Sequence, residues 1–272
     1  MPVWLRKTLA AFSFVMFFGS GIVCGLLFFP LILLFTFNRE RQRRIVTRFL
    51  NGAYPLFMWW LKTAGLLEYP KLELPPDLPR DKPYVVVANH PSLIDVLFIL
   101  GWLPNLTTVV KASWYGGWIL RWVVGSTLYI PGAGLPSDQD DYEPSLQRVV
   151  DALKSGLSVV AFPEGTREPP HQLLRFHRGP FEVACRAGVY LLPLFIGIDN
   201  PGLTKGVPLP IAKMRYTFDW LPWIDCADEG VEARKLKGRY HRLYAERQAR
   251  FLRELRGEKA PVAEVHASVE SR

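Results

Sequence analysis

The sequence predicts an α/β fold: a twisted, mostly parallel sheet flanked by helices, with an N-terminal membrane-inserted helical segment. Three observations carry this reading. Tyr84–Ala88 (YVVVA) is a continuous apolar run without alternation, which implies a strand covered on both faces, as parallel sheets require. Strand-like and helix-like patterns then alternate as far as Trp220. Upstream, Leu9 to Phe37 is an apolar run of 29 residues with no charged side chain, longer than the roughly 20 needed to cross a bilayer core.

The N-terminal run is too long for the apolar region of a signal peptide, about 7–15 residues, and no small-residue cleavage site follows it. Gly19, Gly21, Gly25 and Pro30 fit either one tilted helix or one that bends back. Arg6 and Lys7 precede the run, whereas Arg39, Arg41, Arg43, Arg44 and Arg48 follow it, so the C-terminal side should face the cytoplasm. The catalytic part would then be membrane-bound on the cytoplasmic side, at the inner membrane if the source is bacterial. Tyr54, Phe57, Trp59 and Trp60, with Lys62, predict an interfacial helix at headgroup level; an ordinary core helix is the alternative, and Pro55 argues against a long helix there. Residues 1–67 therefore form the membrane segment and interfacial helix.

Pro70, Pro75, Pro76, Pro79 and Pro83 make a stiff connector into the α/β core. A helix is expected directly after the first strand, with Pro91 at its first position and Leu93, Val96, Leu97 and Leu100 at helical spacing. Thr107–Val110 and Ser126–Ile130 read as strands around a helical Trp114–Val124. Leu146, Val149, Val150 and Leu153 mark an amphipathic helix stopped by Gly156. Strands follow at Leu157–Phe162 and Val189–Ile196, separated by a helix over Pro180–Ala187 that Gly188 ends. After a Pro/Gly-rich loop at Asp199–Ile211 come a strand, Arg215–Trp220, and a basic helix, Val231–Leu255. Residues 68–256 read as one domain and 257–272 as a disordered tail. Ligands in such sheets bind beyond the carboxyl ends of the strands.

Composition narrows the partners. With 49% hydrophobic residues, 9 Trp and 17 Phe, some apolar surface should meet lipid, and a net charge of +8 suits an anionic membrane or a phosphorylated ligand. No nucleic-acid-binding motif is present. Cys24, Cys185 and Cys226 are odd in number and far apart, so neither a disulfide framework nor a metal site is indicated.

His90 falls at the strand-to-helix junction, and Asp95 lies one helical turn beyond Pro91, so its carboxylate can sit under the imidazole. A carboxylate among Ile94, Val96 and Leu97 needs a partner, and His90 is the nearest. The pair would make a histidine base held in one tautomer by an acid. A cap or satisfied surface histidine is the plainer reading of His90 alone. After the strand that ends at Phe162 come Phe162-Pro163-Glu164-Gly165-Thr166-Arg167 and then Phe176-His177-Arg178-Gly179. A glycine admits backbone N–H groups close to an anion, Arg167 and Arg178 offer planar forks for phosphate, and Glu164 would orient one of these or hold a substrate hydroxyl. Either loop alone reads equally as a solvated turn.

Taken together these blocks resemble the glycerolipid acyltransferase family, whose best-known members are the 1-acylglycerol-3-phosphate acyltransferases. The resemblance rests on NHPSLID at Asn89–Asp95, Val110-Lys111, FPEGTR at Phe162–Arg167, Arg178-Gly179 and the Val189–Leu194 run with Pro193. It implies acyl transfer from an acyl-CoA or acyl carrier protein thioester, a co-substrate and not a bound cofactor, to a lysophospholipid hydroxyl, with 1-acylglycerol-3-phosphate as first-choice acceptor. It also implies that His90 is the base, Asp95 its orienting partner, and Glu164, Gly165 and Arg167 the acceptor-binding group; Thr166, Arg178 and Gly179 are expected to border the same site, and no metal is expected. One departure stands out: the family's second block usually closes with an arginine just after an isoleucine, but here Ile130 is followed by Pro131 and Gly132, and His177 stands where a lysine is common. A non-phosphatidic lipid acceptor, a thioester hydrolase and a non-catalytic lipid-binding module are the rival readings. No GxSxG elbow is present, so Ser92 reads as a first-turn helix residue and not a nucleophile.

Overall fold

A computed structural model describes residues 1–115, 118–135, 138, 141–228 and 230–258. The chain begins with α1 (Val3–Val23), a π-helical turn at Cys24–Phe28 and α2 (Phe29–Phe35). Val3–Ile32 is one helical stretch long and apolar enough to cross a membrane, and little of it is buried in the protein. Its outward side chains include Trp4, Phe12, Val15, Phe18, Leu27 and Leu31.

Next, α3 (Arg39–Thr63) runs unbroken through Pro55, contrary to expectation. Proline deletes one helical hydrogen bond, but packing compensates where Pro55 and Tyr54 press on Gly101. Tyr54 and Phe57 turn inward, and the Tyr54 hydroxyl meets that of Tyr129 at 2.6 Å; Trp59 and Leu56 face outward. The helix is thus part core and part outer surface.

The sheet comprises β1 (Leu67–Glu68), β2 (Tyr84–Ala88), β3 (Leu106–Val110), β4 (Ile130–Pro131), β5 (Ser158–Ala161), β6 (Tyr190–Ile198), β7 (Met214–Trp220) and β8 (Ile224–Asp225). Its order is β1-β7-β6-β2-β5-β3-β4, with β8 pairing the start of β6. Pairings are parallel except those of β6 with β7 and β8. β1 and β8 are two-residue strands that the sequence pattern did not reveal. The expected strand at Ser126–Ile130 shrinks to β4, because Leu128 N–H donates to Thr47 Oγ1 of α3 at 2.8 Å and its carbonyl accepts Thr107 Oγ1 at 2.9 Å.

Helices α4 (Asp95–Trp102), α5 (Trp118–Gly125), α6 (Glu143–Lys154), α7 (Gly179–Ala187) and α8 (Ala233–Arg256) complete the fold. One core lies between the sheet and α3 and α4, including Met58, Leu61, Val86, Phe98, Leu192 and Tyr216. The other lies under α6, α7 and α8, including Val85, Val87, Phe181, Leu191, Tyr240 and Tyr244. Alternate residues of β2 thus feed opposite cores, which is why its sequence shows no polar alternation. Of the predicted tail, Gly257 caps α8 in a left-handed conformation, and 259–272 lie outside the described residues.

β2 lies between β5 and β6, and the chain leaves it toward β3 on one side, whereas it leaves β5 toward β6 on the other. This is a topological switch point, where connections diverge and a crevice opens at the carboxyl edge. The register Val87↔Ala161 sets the loop after Ala88 beside the loop after Ala161.

Candidate active site

His90 and Asp95 meet in that crevice. Nδ1 of His90 lies 3.0 Å from Oδ2 of Asp95, which also accepts the Ser92 N–H at 2.6 Å. Helix α4 begins at Asp95 and not at Pro91. The reason is that the Ser92 N–H is taken by Asp95 and the Leu93 N–H by the Leu203 carbonyl, at 3.0 Å, so the backbone there serves tertiary partners. Ser92 is accordingly not a first-turn residue, and it is fully buried.

Asp95 is 0% exposed and burial raises its pKa, a rise that the hydrogen bond and charge of His90 oppose. The Phe162 ring stacks on the imidazole with centroids 4.1 Å apart and planes 20° from parallel. With Nδ1 engaged and the ring plane fixed, Nε2 is the nitrogen left for a reacting group.

The loop after β5 is bound to the His90 loop through its acids. Glu164 Oε1 accepts the His90 N–H at 3.2 Å and Oε2 the Leu174 N–H at 3.1 Å. Glu164 therefore holds backbone, and among the described residues it pairs with no arginine, the first of the two roles the sequence offered it. Gly165 adopts φ 67°, the left-handed region that favours glycine, with Thr166 exposed beside it. Arg167 donates from Nη1 to the Leu203 carbonyl at 2.8 Å, the same carbonyl that receives the Leu93 N–H. Among the described residues this is its one hydrogen bond, so its other N–H groups are able to serve an anion.

Arg178 and Gly179 sit apart from this cluster in their contacts. Arg178 pairs with Glu182 on its own helix, Nε to Oε2 at 2.8 Å, and is mostly exposed. Gly179 opens α7 against Tyr142, where a side chain would collide with the phenol.

Residues 71–197 match the family model described as Acyltransferase. The match covers 127 residues, a little under half of the chain. The chain is 28% identical over 204 residues to a 1-acyl-sn-glycerol-3-phosphate acyltransferase of Pseudomonas aeruginosa, covering 69% of this chain and 72% of that one. It is 28% identical over 176 residues to the chloroplastic 1-acyl-sn-glycerol-3-phosphate acyltransferase LPAT1 of Arabidopsis thaliana, covering 64% of this chain and 46% of the relative. A lyso-ornithine lipid O-acyltransferase of Pseudomonas aeruginosa is 32% identical over 154 residues, covering 54% and 55%. The chain thus spans about half the length of several curated relatives it matches. The crystal structure of the 1-acyl-sn-glycerophosphate (LPA) acyltransferase PlsC from Thermotoga maritima superposes with a TM-score of 0.66 at 22% identity, covering 94% of this chain and 100% of that one, which establishes the shared fold.

Within this matched stretch, Pro131 and Gly132 stand where the sequence departs from the family pattern. Gly132 N–H donates to the Val110 carbonyl at 2.8 Å, and Arg148 of α6 reaches the Pro131 and Gly132 carbonyls at 3.2 and 3.3 Å. Arg148 is meanwhile paired with Asp138 at 2.8 Å, and this pairing lowers the Asp138 pKa to about 2. An arginine is present near this position, but its donors are spent on the protein.

Sequence reasoning missed Asn89 and Glu168. Asn89 Nδ2 donates to Glu168 Oε1 at 2.8 Å and to the Ile196 carbonyl at 2.9 Å, while its Oδ1 accepts the Ile196 N–H at 2.7 Å. The available signal was a polar residue closing a fully apolar strand, where a buried amide must find partners. Among the described residues, no group of three or more His, Cys, Asp or Glu side chains is arranged to hold a metal.

Proposed function

We propose that this chain is a membrane-bound O-acyltransferase that moves a fatty acyl group from an acyl-CoA or acyl carrier protein thioester to the free hydroxyl of a lysophospholipid, with 1-acylglycerol-3-phosphate the leading acceptor. The observation that carries it is the Nδ1–Asp95 contact beside the Arg167 loop, which leaves Nε2 as the ring nitrogen for a reacting group. Nε2 takes the proton of the acceptor hydroxyl as its oxygen attacks the thioester carbonyl. Asp95 stabilises the imidazolium, and the tetrahedral intermediate collapses to the ester with expulsion of the thiolate, which recovers the proton from His90. No covalent acyl-enzyme is needed. General-base help of this kind supplies about 10²–10⁴-fold, so positioning of both substrates contributes the remainder.

The acceptor phosphate is assigned to the free N–H groups of Arg167, with the Glu164–Gly165–Thr166 turn and Arg178-Gly179 bordering the site. The arginines after the apolar helix support a cytoplasmic catalytic face. A second reading, a non-phosphatidic lipid acceptor, draws on Pro131-Gly132 and on the relative that acylates lyso-ornithine lipid. The test is thiol release from an acyl thioester with and without lysophosphatidic acid. Acceptor-dependent release with formation of phosphatidic acid is expected; release independent of acceptor would identify a hydrolase, release only with a non-phosphatidic lysolipid the second reading, and none with any acceptor a binding module.

A further inference from the structure

Glu168 is the acid of this site that the proposed transfer does not use. It is 2% exposed and Glu164 3%, and their carboxyl groups lie within hydrogen-bond reach of each other. The surroundings offer no counter-charge. Asp95 adds negative potential from the His90 loop; α8 presents the Tyr244 hydroxyl, which donates to the Val87 carbonyl at 2.5 Å, and the neutral Gln248. On the 162–178 loop, Arg167 is held by the Leu203 carbonyl, the His177 ring packs at Gly165 and His171 lines the adjoining cavity. Lys205 is exposed and meets Glu168 only through backbone, its N–H on the Glu168 carbonyl at 3.3 Å. Among the described residues, no lysine or arginine pairs with either acid. One buried carboxylate without a cation is costly, and two side by side are costlier still.

We propose that Glu164 and Glu168 share a single proton that locks the His90 loop to the loop after β5, which makes Glu168 a positioning residue for the transfer. The hydrogen bonds are self-consistent in this state. The Glu168 O–H donates to the Glu164 carboxylate, while Glu168 Oε1 accepts from Asn89, itself clamped on β6. Glu164 then accepts the His90 N–H, and the Glu168 N–H donates to the His90 carbonyl at 2.9 Å. Both peptide groups of His90 are thereby held by the pair. Burial raises both carboxyl groups above the ordinary glutamate range, and the neighbouring Glu164 charge adds to the rise at Glu168, so the pair retains a proton near neutral pH. The ordinary glutamate value is 4.5, so this contribution to stability is full below that pH and is lost progressively as pH rises to about 9.

The positioning role rests on the acyl-transfer reading; the shared proton does not. Wild type, Glu168→Gln and Glu168→Ala full-length proteins are compared in detergent by three readouts. Infrared spectra near neutral pH should show a protonated-carboxyl band in wild type that Glu168→Gln lacks. The wild-type Tm should fall more steeply between pH 5 and 9 than that of Glu168→Gln. Glutamine keeps both partners, its amide donating to Glu164 and its carbonyl accepting from Asn89. It should therefore restore most of a loss of roughly tenfold or more in kcat/KM seen in Glu168→Ala, and it should remove the wild-type decline of about tenfold per pH unit above pH 9. A band and a Tm profile unchanged by Glu168→Gln overturn the shared proton. Glutamine no better than alanine, with wild type active, overturns the positioning role. Inactive wild type with the expected band and Tm behaviour defeats the acyl-transfer reading and leaves the shared proton standing.

Discussion

The carboxylate of Glu164 accepts the backbone N–H of His90 at 3.2 Å across 74 positions of sequence. Parallel pairing of β2 with β5 in the register Val87↔Ala161 brings this about, since each residue lies three positions beyond its paired strand residue. His90 and the loop that carries Arg167 are therefore held on one carboxyl edge by the same ladder.

The His90–Asp95 contact predicts a strongly coupled pair. His90→Ala should abolish transfer. Asp95→Asn should lower kcat by about 10²–10⁴-fold, because an amide cannot both accept the Ser92 N–H and hold the required tautomer. Near-normal turnover in a folded His90→Ala protein, with folding checked by Tm, would refute the base assignment.

Among the described residues Arg167 is anchored by the Leu203 carbonyl, and in the proposed reaction its remaining N–H groups set acceptor preference. Arg167→Ala should cost about 1.5–3 kcal/mol, roughly ten- to over a hundredfold in kcat/KM, with lysophosphatidic acid and spare a neutral lysolipid. Equal losses on matched charged and neutral acceptors would remove the phosphate from this arginine.

Gly101 meets Pro55 so closely that an added Cβ would lie 2.9 Å from its Cδ and 3.2 Å from Tyr54 Cβ, all stiff parts of α3. Gly101→Ala should destabilise the fold by about 1–3 kcal/mol. Gly52→Ala, on the same helix α3 with nothing within 4 Å, should be neutral or mildly stabilising. Thermal melts of both variants in detergent check the pair, and equal Tm values would count against the α3–α4 contact.

The outward apolar face of Val3–Ile32 predicts integral attachment. Carbonate or high-salt washing should leave the protein in the membrane pellet, since salt screens surface charge but not hydrophobic insertion. Release into the supernatant would show peripheral binding only.

The mostly parallel sheet, the apolar N-terminal helix and the His90–Asp95 pair were all legible in the sequence, because each rests on local pattern: a run of apolar residues, their period, or a spacing of five positions. Element ends and roles were less legible wherever a distant residue competes for the backbone. Helix α4 starts late because Leu203 and Asp95 take the N–H groups of Leu93 and Ser92; α3 survives Pro55 because Gly101 packs on it.

Local sequence by itself determined which residues could make strands, a membrane helix and a base with its acid, since hydrophobic period and short spacing are properties of neighbouring residues. Only the tertiary structure decided that Glu164 grips the His90 backbone, that Asn89 and Glu168 close the network, and that Arg178 turns to Glu182 while Arg167 stays with the cluster. Those outcomes depend on the register of β2 against β5 and β6, and register is set by the burial of whole strand faces together, which no single stretch of the chain encodes.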